Sequence, residues 1–126
     1  MNYRSLGKTG LSVSEVGFGC WGIGGVAPGT KSYGPVDDQQ SLRALWRARD
    51  LGINFFDTSD LYGLGHSEEV LGRAFLGRRA DVLFASKMGV VLDASGRQVQ
   101  DFSAGHIRAA LIASLRRLQT DYLDLY

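Results

Sequence analysis

Short apolar runs alternate with helix-length stripes along most of this chain, and that alternation limits the folds open to it. Val16-Gly17-Phe18-Gly19-Cys20, Ile53 to Asp57, Val82 to Lys87 and Tyr122 to Tyr126 each read as a short buried strand. Between them lie three stretches with helical spacing. The first runs from about Gln39 to Leu51 and places Leu42, Leu45, Ala48 and Leu51 on one side, with Ala44 beside them. Asp37 and Asp38 are its candidate N-caps, and Gly52 stops it. The second starts at a Ser67 cap, sets Glu68 and Glu69 at the positive pole of the helix dipole, and turns Val70, Leu71, Ala74 and Phe75 inward. The third is capped by Ser103, presents Ile107, Ala110, Leu111, Ser114, Leu115 and Leu118 on one face, and ends near the basic pair Arg116-Arg117. Strands that alternate with helices pair in parallel through right-handed crossovers.

Ahead of these units, Tyr3 to Leu6 and Leu11 to Val13 alternate with period two around Gly7-Lys8-Thr9-Gly10, which is a hairpin signal. The expected architecture is therefore α/β, a hairpin over 3–13 followed by βα units over 16–126, in one domain of 126 residues. Four parallel strands and three helices amount to half of a (β/α)8 TIM barrel or to a small open sheet. A complete barrel takes about 250 residues. The stretches Trp21 to Val36 and Gly89 to Phe102 read as long loops, and a loop of that length points to function.

Composition narrows the partners. The chain is 44% hydrophobic and 21% charged with net charge +1, and its charges are interspersed, so it offers no basic stripe for nucleic acid. Its single cysteine, Cys20, excludes an intrachain disulfide framework and fits a reducing compartment. The N-terminus has no apolar core of signal-peptide type, and no apolar run approaches the roughly 20 residues that span a bilayer. The expected setting is a soluble protein in the cytoplasm, away from membrane and nucleic acid.

Asn54-Phe55-Phe56-Asp57-Thr58-Ser59-Asp60-Leu61-Tyr62-Gly63 carries the chemistry. An apolar strand ends in a carboxylate, and the loop beyond it holds a phenol. In parallel sheets ligands meet the protein at this end of the strands. Taken alone, Asp57 and Tyr62 suit a proton-transfer pair and ordinary loop polarity equally well. Lys87 ends the next predicted strand on the same face as Asp57. Strands about 4.8 Å apart let these two charges pair, as a structural ion pair or as part of a site. With Tyr62 between them, an ammonium about 4 Å from the phenol oxygen favours the phenolate by roughly 4 kcal/mol at an effective dielectric constant near 20. The three residues then make a tuned proton donor.

Other candidates read more plainly. Gly17-Phe18-Gly19-Cys20-Trp21-Gly22 matches the dinucleotide fingerprint G-x-G-x-x-G, but that fingerprint needs a helix N-terminus immediately after it, and no helix is expected before about residue 38. His66 reads as a solvent-exposed loop residue and His106 as a surface residue, and neither has a second ligand at metal spacing, so no metal is expected. Cys20 reads as a small packed residue, Trp21 as a core plug or an aromatic wall for a ring, and Asp124 has no evident partner.

Together these stretches resemble the aldo/keto reductase family. The resemblance runs through Leu6 to Ser14, Gly17 to Gly22, Gly52 to Gly63, Ser67 to Gly72, Ser86-Lys87 and Leu115 to Tyr126. It implies a (β/α)8 barrel closed at its bottom by the hairpin. It also implies that Asp57, Tyr62 and Lys87 surround the nicotinamide together with a histidine. In the family the tyrosine gives a proton to the substrate carbonyl oxygen as NAD(P)H delivers hydride. The lysine makes that tyrosine more acidic, and the aspartate pairs with the lysine.

By the same resemblance Cys20, Trp21 and Asp57 contact the cofactor, with NADP(H) favoured over NAD(H). The family usually has Thr at Cys20, so a hydroxyl contact is missing there. The family's histidine stands on the fourth strand just beyond the position of Tyr126, and its later strands carry most cofactor contacts. The expectation is the N-terminal half of an NAD(P)H-dependent oxidoreductase of aldehydes and ketones or their alcohols, inactive by itself. Two alternatives are a cofactor-binding regulatory subunit without catalysis and a half-barrel that dimerises. Oligomeric state and physiological substrate are open.

Overall fold

The computed structural model describes residues 1–126. Strands β1 (Tyr3–Ser5) and β2 (Ser12–Ser14) form the N-terminal antiparallel hairpin, with Tyr3 opposite Ser14. Its turn uses Gly7 and Gly10 at positive φ, 55° and 81°. Asn54 ties the hairpin to the strand that follows it in space. The Asn54 Oδ1 accepts the Ser14 N–H at 2.8 Å, and its Nδ2 donates to the Ser12 carbonyl at 2.9 Å. The Tyr3 hydroxyl donates to the Gly52 carbonyl at 2.8 Å. These contacts fix the hairpin at the N-terminal edge of the sheet, away from the strand tips that carry Asp57 and Lys87.

The central sheet pairs β3 (Phe18–Gly19), β4 (Phe55–Asp57) and β5 (Leu83–Ala85) in parallel, in that order. Phe18, Phe56 and Phe84 lie side by side in the register, and so do Gly19, Asp57 and Ala85. Leu125 adds a parallel bridge to Ala85, at the place of the fourth expected strand. Helices α1 (Asp38–Asp50), α2 (His66–Ala74) and α3 (Ala104–Leu118) pack over one face of the sheet. One core joins Phe56 and Phe84 to Leu45 of α1, Val70 and Leu71 of α2, and Leu118 of α3, all fully buried. Phe75 bridges the two central rings, 4.9 Å from Phe56 and 6.0 Å from Phe84 between centroids. Each such phenyl ring contributes about 1.5–3 kcal/mol on burial. Alternation along the strands then leaves Phe55, Asp57 and Leu83 on the opposite face.

The predicted caps hold at two helices. Asp37 caps α1 by accepting the Gln39 and Gln40 amides, and Ser103 caps α3 by accepting the His106 amide. On α1, Leu42, Leu45 and Ala48 are buried as expected, but Leu51 and Ala44 are exposed. Leu51 falls at the C-cap, where the chain turns through Gly52 at φ 90° and leaves the helix face. At α2 the cap is Gly65 at φ 97°, and Ser67 lies inside the first turn, fully buried. The left-handed glycine caps the helix two residues before the serine, so Ser67 is free to bond elsewhere.

The strands are shorter than the apolar runs predict, with β4 spanning Phe55–Asp57 and β5 Leu83–Ala85. Tyr122 to Tyr126 forms a single bridge. Residues 89–102 are not one loop but contain a hairpin, β6 (Val90–Leu92) with β7 (Gln98–Gln100). Asp93 makes its turn by accepting from the Ser95 hydroxyl and amide and from the Arg97 amide and guanidinium. The Ser95 hydroxyl, then the Arg97 amide, hold the Asp93 carboxyl down to about 2. No helix is long and apolar enough to cross a membrane.

Helices α2 and α3 meet at Gly72, where a Cβ would stand 2.7 Å from the Leu118 carbonyl oxygen and 2.8 Å from that of Arg117. Backbone cannot yield there as a side chain would. Gly72→Ala is expected to destabilise the protein by about 1–3 kcal/mol through overpacking. Gly105→Ala on α3, where a Cβ meets nothing within 4 Å, is expected to be neutral or stabilising by up to about 1 kcal/mol. Urea unfolding of the two variants beside wild type checks the contrast.

Candidate active site

Asp57 closes β4, and Lys87 follows β5 by two residues, so the parallel register delivers both to one end of the sheet. The Lys87 ammonium donates to Asp57 Oδ1 at 2.5 Å and to the Thr58 carbonyl at 2.8 Å. It also donates to the Tyr62 hydroxyl oxygen at 3.4 Å and lies 5.0 Å from the centre of that ring. Burial alone would pull the ammonium down. The hydrogen bond and charge of Asp57, with the Tyr62 oxygen, outweigh it and raise Lys87 above its ordinary value. The pair remains open to solvent, with the Lys87 and Asp57 side chains 47% and 41% exposed. The three residues expected to act together are thus in contact.

Tyr62 is held from behind by backbone. A Cβ on Gly24 would stand 2.9 Å from the Tyr62 carbonyl carbon, and one on Gly63 would stand 1.9 Å from the Gly24 oxygen. Two glycines let the loop after β3 press flat on the loop after β4. In front, Trp21 is a half-exposed wall rather than a core plug. Its ring lies 6.4 Å from that of Tyr62 and 4.5 Å from that of Tyr33, and its indole N–H donates to the Lys31 carbonyl. Trp21, Thr30, Lys31, Leu61, Tyr62 and Gln98 line a cleft of about 190 Å³. The β6–β7 hairpin closes one side of it, with the Gln98 side chain donating to the Gly29 carbonyl at 3.1 Å.

Other sequence candidates fall elsewhere. Cys20 has no exposed surface and sits in the core cluster, where burial and then the Asp57 charge push its thiol far up. The fingerprint glycines lead into a single 3-10 turn, Cys20–Ile23, and α1 begins only at Asp38. His66 is not a free loop residue: it opens α2, and its Nε2 bonds Asp38 Oδ1 at 2.8 Å. His106 is half-buried, with an Nε2 that has no partner. Asp124 does have partners, accepting from Arg79 at 2.6 Å and from the Phe84 amide at 2.8 Å.

The comparisons with known proteins point to one family. The aldo/keto reductase family model matches residues 15–126. The chain belongs to the aldo/keto reductase family. It is 42% identical over 125 residues to an L-galactose dehydrogenase of Arabidopsis thaliana, covering 97% of this chain and 36% of that protein. It is 36% identical over 129 residues to a probable voltage-gated potassium channel subunit beta of Oryza sativa, covering 99% of this chain and 36% of that protein. Among solved structures, the holo form of an aldo-keto reductase from Bacillus halodurans superposes with a TM-score of 0.83 at 38% identity, covering 98% of this chain and 38% of that one. The chain thus spans well under half the length of these relatives. An Escherichia coli relative, 35% identical, is named an NADH-specific methylglyoxal reductase, and a Klebsiella pneumoniae neighbour, 32% identical, was solved with NADPH.

Within this family fold, three features suit a flat nicotinamide ring. A Cβ at Gly19, beside Asp57 in the register, would meet nothing within 4 Å. Asp57 bonds Lys87 through Oδ1 alone, which leaves Oδ2 free to accept. Trp21 presents its ring 6.4 Å from that of Tyr62. Residues the sequence reading did not assign to the site lie directly beneath it. Ser67 donates to the Cys20 carbonyl at 2.8 Å and bonds the Thr58 hydroxyl at 2.9 Å. Glu68, with no exposed surface, accepts from Ser86 at 2.5 Å and from Arg117 at 2.6 Å. Both were read as helix-start chemistry, and nothing local in the sequence marks their long-range partners.

The Lys87–Asp57 pair has a checkable pH signature. A cation raised in the folded state adds stability that is complete below its unfolded value and fades as the pH climbs through the folded one. The advantage of wild type over Asp57→Asn is therefore expected to hold at neutral pH and to narrow above about pH 10. With both side chains half-exposed that advantage is about 1 kcal/mol or less. Thermal melts across the alkaline range read it. An Asp57→Asn curve that stays parallel to wild type throughout would contradict it.

Proposed function

We propose that this chain carries the proton-donating half of an NAD(P)H-dependent carbonyl reductase, with Tyr62 as the donor, Lys87 as its tuning cation and Asp57 as the partner of that cation. The observation that supports this most is the single ammonium in contact with a carboxylate, a backbone carbonyl and a phenol at 2.5, 2.8 and 3.4 Å. A nicotinamide dinucleotide, when bound, supplies hydride to the carbonyl carbon of the substrate. Tyr62 gives its hydroxyl proton to the carbonyl oxygen, and the product is the alcohol.

The phenolate left behind faces the Lys87 ammonium at 3.4 Å. Two unit charges at that distance attract by about 5 kcal/mol at an effective dielectric constant of 20 and by about 1 kcal/mol in water. Asp57 and the Thr58 carbonyl keep the ammonium charged and aimed. In the reverse direction the same phenolate takes the alcohol proton. Cys20 and Trp21 follow β3 on the side of the opening, where the Cys20 thiol is buried and the indole is the surface offered to a ring. The relatives' names include both NADH and NADPH, and we take the phosphorylated cofactor as the one to test first.

The rice relative is named a channel subunit, which favours a second reading, the cofactor-binding regulatory subunit without catalysis. Turnover separates the two, since a subunit that only binds needs no acid. In the complete protein, Tyr62→Phe is expected to lower kcat/KM for a simple aldehyde by about 10²–10⁴-fold while leaving the Kd for NADPH unchanged. A variant that still reduces aldehyde at the wild-type rate refutes the donor assignment. Residues 1–126 alone are expected to be silent, because the Lys87 ammonium is half-exposed and its attraction for the Tyr62 phenolate falls toward the lower figure. Titration of that segment with NADPH is expected to show no fluorescence quenching and no aldehyde-dependent oxidation. Tight quenching or turnover would refute this.

A further inference from the structure

We propose that Glu68 is a positioning residue for the reaction, acting through Ser86 to hold Lys87 at Tyr62, and that Ser67 completes the same frame. This rests on the reading of Tyr62 and Lys87 given above. The contacts close a ring. Glu68 Oε1 accepts the Ser86 hydroxyl at 2.5 Å, and Ser86 is covalently followed by Lys87. The Lys87 ammonium donates to the Thr58 carbonyl at 2.8 Å. The Thr58 hydroxyl bonds Ser67 at 2.9 Å, and Ser67 is covalently followed by Glu68. Ser67 also donates to the Cys20 carbonyl at 2.8 Å. One helical turn therefore grips the tips of β3, β4 and β5 where each meets the site.

Beneath the half-exposed lysine the ring is dry and anchored. Ser67, Glu68 and Thr58 have no exposed surface, and Ser86 has 4%. Glu68 Oε2 is held by Arg117 Nε at 2.6 Å, so the carboxylate cannot turn away from Ser86 without leaving the guanidinium. Arg117 reaches it by crossing Gly65, where a Cβ would stand 2.5 Å from the Arg117 Cδ. A clamp between α2 and α3 would need only the Glu68–Arg117 pair, and Gly72 already brings those helices into backbone contact. The Ser86 arm adds nothing to that clamp and points to the residue before the lysine. Buried charged groups retained for geometry rather than for stability are a known use of such pairs.

The test uses the complete protein and four variants, with kcat and KM of aldehyde reduction as readouts and thermal melting as the folding control. Ser86→Ala leaves the Glu68–Arg117 pair intact. It is expected to fold and to lower kcat at neutral pH by about 10–100-fold, the size of loss that a displacement near 1 Å produces. KM for aldehyde and for NADPH is expected to stay within about twofold on the same argument. Ser86→Thr, which keeps the hydroxyl, is expected to restore kcat. Glu68→Gln is expected to show the same loss of kcat at unchanged KM in whatever fraction folds.

A folded Ser86→Ala with wild-type kcat overturns the proposal. So does a fall in kcat that only follows lost folding, or one that Ser86→Thr does not restore. Tyr62→Phe is the separate control. If it remains active the donor assignment fails, whereas an inactive Tyr62→Phe beside an unaffected Ser86→Ala overturns the positioning role alone.

Discussion

The register of three phenylalanines governs this structure. Phe18, Phe56 and Phe84 stand abreast on β3, β4 and β5, and the latter two fill the space between the sheet and its helices with no exposed surface. A slip of one residue in any strand would swap its two faces. On β4 it would drive Asp57 into the hydrocarbon core and put Phe56 on the open side. Burying an unpaired carboxylate costs far more than a phenyl ring returns, so the slipped arrangements are excluded. The same register then sets Asp57 beside Ala85 and brings Lys87, two residues further on, within reach of it. The contact between Lys87 and Asp57 is a consequence of how the core packs.

A second layer depends on that first one. Once the strand tips are level, the first turn of α2 lies across them, and its polar side chains meet backbone and hydroxyl groups that water does not reach. Ser67 satisfies the Cys20 carbonyl, and Glu68 satisfies Ser86 and Arg117. Gly65 makes this placement available through its left-handed φ of 97°, which sets the helix cap two residues ahead of Ser67. Gly24 and Gly63 act likewise for Tyr62, allowing two loops to touch through backbone alone. Several of the glycines that look like loop filler in the sequence are close-approach points around the site.

Much of this was legible in the residues. The alternation of apolar runs with helical stripes pointed to parallel βα units, and Asp37 and Ser103 marked their helix starts where the structure has them. Asp57, Tyr62 and Lys87 were recognisable because each ends or follows a strand at the side where ligands meet such sheets. Less legible were residues whose role is set by a distant partner. Glu68 reads as dipole chemistry and binds residues 18 and 49 positions away. His66 reads as a loop histidine and pairs with Asp38 across 28 residues. The β6–β7 hairpin was hidden differently: its turn is made by the Asp93 side chain gathering four donors rather than by an Asn-Gly or Asp-Gly pair.

Local chemistry, then, settled element type, order and the residues that can move a proton, since periodicity, capping and strand-end placement depend on neighbours only a few positions away. Distance, burial and pairing were decided in three dimensions. Whether Lys87 meets Tyr62, whether Trp21 is wall or plug, and which carboxylate is locked dry beneath the site all depend on how separate segments pack. Packing is a sum over contacts between residues far apart in the chain, and no local pattern contains that sum.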